Sequence, residues 1–231
     1  MEDTEQIDVL INNAGIISAQ NKRMTNDNFE ETFQVNYLSH FLLTTLLLDK
    51  LKESAHARII NLVCEFQSGK IDFTDLQCNE TAFSNMRSYY NSKLALLYFT
   101  HELSNVLKGS SVTSYAVNPG LCETNLWRNI FPYNYSITWF FMSPWGYLFC
   151  RTPSNGAETT YYCSIDRDIE EDSGKYYKNC EEVNIGQFND RKTRKLWEMS
   201  DRMTKPFLDH SFLSTTATET RAPHVTFDDG I

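Results

Sequence analysis

A chain of 231 residues with a formal charge of −9 and a sequence pI of about 5.0 lacks the basic face that nucleic-acid binding needs. With 41% hydrophobic and 22% charged residues it is an ordinary globular chain, long enough for one sizeable core. The six cysteines have no CxxC spacing and read as mostly buried thiols of a reducing compartment, and the five histidines never pair at metal-ligand spacing.

DVLIN (8–12) is a short apolar run that predicts a buried strand entering a loop of Asn12, Asn13, Ala14 and Gly15. A helical pattern follows over about 26–51, with Phe29, Phe33, Leu38, Phe41, Leu42, Thr45 and Leu46 near helical spacing. RIINLVC (58–64) predicts a second buried strand, 82–107 a helix, and SVTSYAV (111–117) a third strand. Continuous apolar strands separated by helices predict a parallel sheet covered on both faces.

Beyond Pro119 and Gly120 the pattern weakens. The run IFPYNYSITWFFMSPWGYLFC (130–150) is aromatic-rich but broken by two prolines, an asparagine and several hydroxyls. It makes a poor membrane span, and suits an apolar wall or a flap resting on a surface. A helix is predicted over 154–164 with Ser154 or Asn155 as its cap, a last strand at KYYKN (175–179), and a closing helix over 189–203. The basic run RKTRK (191–195) reads as the solvated face of that helix. One domain over 1–204 is expected, followed by a mobile, Thr-rich tail over 205–231.

SYYNSK (88–93) places Tyr89 and Lys93 four apart on a helix. Such residues share a face, so the ammonium can lie near the phenol and lower its pKa. A tyrosine tuned in this way serves as a general acid or base near neutral pH. Tyr90 has Leu94 at the same offset and cannot play this part. Alone the pair is a weak signal, and an exposed helix pair is then the favoured reading. Its place after the second strand, near the carboxyl ends of parallel strands, gives it weight.

NNAG (12–15), VNYLSHF (35–41), RIINL (58–62), YYNSKLA (89–95) and NPG (118–120) with Thr124 form an ordered set. With RTPSNGAETTYYC (151–163) and KLWEMS (195–200), they make the sequence resemble the short-chain dehydrogenase/reductase family over roughly 7–203. Within the family the resemblance is to the retinol dehydrogenase-like branch. It implies an α/β fold: a partial Rossmann-like, doubly wound parallel sheet lacking the first βαβαβ half.

The resemblance implies Tyr89 as catalytic acid/base, with Lys93 lowering its pKa and bonding the nicotinamide ribose. Asn36 matches a helix asparagine that holds a water in the proton relay; as a residue alone it reads equally as a helix-interior asparagine bonding its own backbone. Asn12, Ala14 and Gly15 match the loop beside the cofactor, though a glycine there also suits a plain tight turn. Pro119, Gly120 and Thr124 match the segment at the nicotinamide end, or an ordinary strand-to-helix turn. The implied cofactor is NADP, with NAD open because the discriminating residues are absent. The implied reaction moves a hydride to or from an apolar alcohol, aldehyde or ketone such as a retinoid, steroid or lipid aldehyde. Segment 130–150 falls at the family's variable substrate lid, and reads equally as a core helix or a partner-facing patch. The expected location is the endoplasmic reticulum membrane, through peripheral contact, and otherwise the cytoplasm.

Two departures stand out. Where the family reads N-x-S-S, this chain has Asn61, Leu62, Val63 and Cys64, so Cys64 takes the place of the substrate-orienting serine. Ser68 follows four residues on. No three of the nine glycines fit a phosphate-binding G-x-G-x-x-G or TGxxxGxG. DVLIN corresponds to the fourth strand of the family order 3-2-1-4-5-6-7 and is expected at an exposed sheet edge, in a chain poorly stable alone. The alternative to an enzyme is a catalytically silent, truncated family member acting as a binding or interaction protein.

Overall fold

A computed structural model of the chain describes residues 6–18, 21–65, 70–78, 83–122, 126 and 150–208. Five strands form one sheet in the order β1 (Val9–Asn12), β2 (Ala57–Leu62), β3 (Val112–Asn118), β4 (Lys175–Lys178) and β5 (Glu181–Glu182). The first four are parallel, and β5 returns antiparallel along β4. All six residues of β2 are buried, as expected of a strand covered on both faces. The predicted parallel α/β sheet is therefore present, with β1 at its edge.

One face of the sheet carries α1 (Glu31–Phe33), a single π-helical turn (Gln34–Leu38), α2 (Ser39–Lys52), α3 (Asn85–Val106) and α5 (Asp190–Leu208). Aromatic rings lock these helices together. Phe99 of α3 stacks on Trp197 of α5 at 5.7 Å, and Phe41 of α2 meets the same Trp197 at 5.1 Å. The other face carries α4 (Pro153–Ile165), whose Cys163 packs with Ile60, Leu62, Tyr115 and Val117. Arg58 is buried under this helix and donates to the Cys163 carbonyl at 3.1 Å, near the helix's C-terminal end where a cation is favoured.

Several element ends differ from the sequence expectation, each for a local reason. The helix predicted from residue 26 starts at Glu31, because the Glu30 carboxylate caps it, accepting from the N–H groups of Thr32 and Phe33. The cap of α4 is Thr152 rather than Ser154 or Asn155, with Pro153 in the first turn, where its missing N–H costs nothing. The helix predicted from 82 begins at Asn85 behind Ser84. The closing helix runs on to Leu208, so the expected tail boundary at Lys205 falls inside it. The small strand β5 was not foreseen; β4 turns into it through Asn179 and Cys180, both with left-handed φ of 58° and 61°.

Candidate active site

The carboxyl ends of β1, β2 and β3 open onto one cleft of about 580 Å³. Residues 13–15 leave β1 there, 63–65 leave β2 and 119–122 leave β3. Helix α3 supplies the remaining wall with Met86, Tyr89, Tyr90 and Lys93. Spacings of three and four put these side chains on one helix face. Of the predicted residues, Ala14, Gly15, Cys64, Tyr89, Lys93, Pro119 and Gly120 come together here.

Lys93 is only 5% exposed. Its Nζ donates to the Leu62 carbonyl at 2.8 Å and stands 6.0 Å from the centre of the Tyr89 ring. Burial lowers its pKa to about 8, against an opposing pull from Cys64. The spacing argument thus brings the ammonium to the phenol, but the expected lowering of the Tyr89 pKa does not follow. Burial raises the Tyr89 pKa, and Cys64 and Tyr90 raise it further. The ammonium is aimed at the Leu62 carbonyl, and desolvation of the phenolate prevails.

Cys64 lines the cleft between these two groups and Glu65. Burial pushes its thiol up to about 12, with Lys93 pulling it down and Glu65 pushing it up. It is a neutral thiol at physiological pH, and a weak hydrogen-bond donor where a serine hydroxyl would be a strong one. Glu65 itself is held outward by the Lys178 ammonium at 2.7 Å.

Asn36 neither bonds its own helix through its amide nor faces open cleft. Its Oδ1 accepts from the Ile16 N–H at 2.8 Å, and its Nδ2 donates to the Ile16 carbonyl at 2.9 Å and to Ser92 Oγ at 3.0 Å. Ser92 in turn donates to the Tyr89 carbonyl at 2.7 Å. One amide therefore docks the β1 loop onto α3. The π turn makes this reach available. The Ser39 N–H bonds back five residues to the Gln34 carbonyl, so neighbouring carbonyls need other donors. The Ser39 hydroxyl takes the Val35 carbonyl at 2.8 Å, and His40 Nδ1 takes the Asn36 carbonyl at 3.0 Å. His40 is buried, and burial followed by Lys93 lowers its pKa to about 4, so the ring is neutral with its proton on Nδ1. His40 and Ser92 were missed in the sequence: their bonds to the Asn36 and Tyr89 carbonyls are ordinary within-helix contacts, and the contact of Ser92 with Asn36 spans 56 positions.

Asn12 is the predicted cofactor residue that the cleft leaves behind. It is buried and donates to Thr44 Oγ1 at 3.0 Å and to Asn61 Oδ1 at 2.8 Å, tying β1 to β2 and α2. Asn13, which the sequence reading did not select, lines the cleft instead. Gly120 has φ of +78°, and its missing Cβ leaves room for the Arg151 side chain, 3.2 Å from where that atom would stand. Asn118 fixes the turn, accepting from the Gly120 N–H at 2.8 Å and donating to the Tyr176 hydroxyl at 2.8 Å. Thr124, Ser68 and residues 130–149 of the expected lid lie outside the described residues.

The cleft near Tyr89 fits the nicotinamide–ribose end of a dinucleotide. A Cβ at Gly15 would stand in ordinary contact with Lys93 Nζ and Asn36 Oδ1, at 3.4 and 3.6 Å, so glycine leaves the space beside the ammonium unfilled. Among the described residues there is no glycine-rich turn to hold a pyrophosphate, and no group of His, Cys, Asp and Glu arranged for a metal.

The family model for short chain dehydrogenase matches residues 1–134. The chain is 39% identical over 206 residues to "Retinol dehydrogenase 13" of Mus musculus, covering 88% of this chain and 61% of the relative. It is 39% identical over 203 residues to "Retinol dehydrogenase 12" of Mus musculus, covering 87% and 62%. The chain thus spans less than two thirds of the length of these curated relatives. The crystal structure of an uncharacterized protein from Mycobacterium Paratuberculosis superposes with a TM-score of 0.63 at 28% identity, covering 88% of this chain and 69% of that one. An NADPH-bound carbonyl reductase from chicken fatty liver shares the fold, with a TM-score of 0.52 at 21% identity over 78% of this chain and 66% of that one. The matched model spans more than half of the residues and includes β1, β2, α3 and β3, so the chain belongs to the short chain dehydrogenase family, and within it is similar to the retinol dehydrogenases.

Proposed function

We propose that this cleft belongs to an oxidoreductase that interconverts an apolar alcohol with its aldehyde or ketone, using NADP(H), with NAD(H) as the other candidate. The observation that carries the reading is the placing of Tyr89 and a buried Lys93 together at the carboxyl ends of three parallel strands. When bound, the nicotinamide supplies or accepts the hydride. In reduction, the Tyr89 phenol gives its proton to the developing alkoxide; a buried phenol with a raised pKa is a competent donor to so strong a base. In oxidation the phenolate must form, and the Lys93 ammonium, 6.0 Å from the ring, would steady it only by turning from the Leu62 carbonyl. The same ammonium would hold the ribose hydroxyls. Asn36 fixes the loop carrying Ala14 and Gly15 at the correct depth. Cys64 donates weakly to the substrate oxygen. Met86, Tyr90 and Leu121 give the cleft apolar wall, in keeping with a retinoid, steroid or lipid aldehyde.

Association with the endoplasmic reticulum membrane belongs to the same proposal, from the family resemblance; among the described residues no helix is long and apolar enough to cross a membrane. The test is equilibrium titration of the chain with NADPH and NADH, followed by nucleotide fluorescence. Saturable micromolar binding that Lys93→Ala weakens supports the reading. Absence of saturable binding to either nucleotide overturns it.

A further inference from the structure

Lys93 is a buried amine with no anion beside it. Among the described residues it makes no ion pair, and its one hydrogen bond runs to the Leu62 carbonyl. Three titratable groups stand near it: His40 of α2, Cys64 after β2 and Tyr89 one turn back on α3. All three are neutral at pH 7, because burial keeps the proton off the second nitrogen of His40 and on Cys64 and Tyr89. Glu65, the carboxylate on the cleft wall, is taken up by Lys178 at 2.7 Å.

A lysine in such surroundings gives up its proton readily. With its pKa lowered to about 8, roughly one Lys93 in ten is a neutral amine at pH 7, against roughly one in 2,500 for a lysine titrating near 10.4. The neutral amine still donates one N–H to Leu62 and keeps a lone pair. Gly15 leaves the space beside Nζ unfilled, since a Cβ there would stand 3.4 Å away. The cleft of about 580 Å³ has room for a small ligand, and Met86, Tyr90 and Leu121 make its wall apolar.

We propose that Lys93 captures an apolar aldehyde as a Schiff base when no nucleotide is bound. Nζ attacks the carbonyl carbon, and the C=O π pair moves to oxygen, which takes up a proton. The carbinolamine then loses its hydroxyl as water while the nitrogen lone pair forms the C=N bond. The two amine hydrogens and the carbonyl oxygen leave together as that water, so no oxidant or reductant is needed. The Tyr89 phenol, on the same cleft wall, is the neutral acid available to that oxygen. The site favours the product, because a neutral imine costs less to bury than the ammonium it replaces. Capture makes the chain a reversible carrier of the aldehyde, a second activity of the same cleft. Nucleotide competes with it, since the ribose is proposed to take the same nitrogen.

The whole 231-residue chain, incubated at pH 7 with nonanal and sodium cyanoborohydride and then mapped by peptide mass spectrometry, tests this. The reductant fixes each imine as a stable secondary amine. The expected result is alkylation of Lys93 at least about tenfold faster than of the exposed Lys108 and Lys192, the margin left after lower basicity weakens the nucleophile. The map is made on the wild-type chain, so it does not depend on a variant folding. The choice of nonanal rests on the substrate class proposed above, and the two readings fail separately. Fast labelling of Lys93 in a chain that binds no nucleotide supports capture and counts against the oxidoreductase. Labelling of Lys93 no faster than of Lys108 and Lys192 overturns capture, whether or not nucleotide binds.

Discussion

Asn36 holds Ile16 by both of its backbone polar groups, at 2.8 and 2.9 Å, from a π turn twenty residues further along the chain. The contact reproduces the pairing of a β-ladder with one amide side chain. It joins the β1 loop to α3 through Ser92, so the depth of the cleft depends on it. Replacing Asn36 with Ala leaves the Ile16 groups and Ser92 without these partners. Stability should fall by about 2–3 kcal/mol in urea unfolding. Asn36→Asp keeps the acceptor for the Ile16 N–H and loses the donors, so it should fall between the two.

His40 makes the same region sensitive to pH. Its folded pKa is depressed to about 4, while an unfolded histidine titrates near 6.5. Between these values the unfolded chain binds the extra proton, so stability decreases as pH falls from 6.5 toward 4. Carboxylates add their own slope, and comparison with His40→Gln isolates the histidine. The variant should show a shallower fall in urea midpoint between pH 7 and pH 4.5. Equal slopes would show that the His40 proton is not excluded on folding.

Lys93 sets the alkaline limit. With its pKa lowered to about 8, its positive charge is present below that pH and lost above it. Nucleotide binding and carbonyl reduction should both decline above about pH 8, by up to tenfold per unit. Lys93→Arg keeps the charge and should move the break upward, at reduced absolute rate because the planar guanidinium cannot copy the bond to Leu62.

Cys64 is a weak donor where a strong one serves better. Cys64→Ser should raise turnover of an apolar aldehyde about 10- to 100-fold, less than the roughly 10²–10³ that a full oxyanion donor contributes elsewhere because the thiol already donates weakly. A serine variant with unchanged or lower turnover would remove Cys64 from the substrate-orienting position.

Much of this architecture is legible in the sequence. RIINLVC and SVTSYAV are short runs rich in branched and apolar residues, and both become central strands, β2 buried throughout and β3 at all but one position. Tyr89 and Lys93 share a face because helical spacing dictates it. The direction of the Tyr89 shift was not legible, since it depends on where the ammonium points, and the Leu62 carbonyl that captures it is 31 positions away. The work done by Asn36 is equally hidden, because the π turn and the Ile16 loop meet only in the folded chain. The start of the first helix was masked by Phe29, which fits the helical period yet lies in a turn where its carbonyl accepts from the Thr25 N–H.

The central claim is that Tyr89 moves the proton in a cleft that holds a nicotinamide cofactor. Single-turnover oxidation of NADPH with an apolar aldehyde, in the wild-type chain and in Tyr89→Phe, tests it most directly. The predicted result is saturable NADPH oxidation in the wild type and a loss of at least about 100-fold in the variant, with nucleotide binding retained. A wild-type chain that leaves NADPH unoxidised, or a phenylalanine variant that turns over as fast, would contradict it.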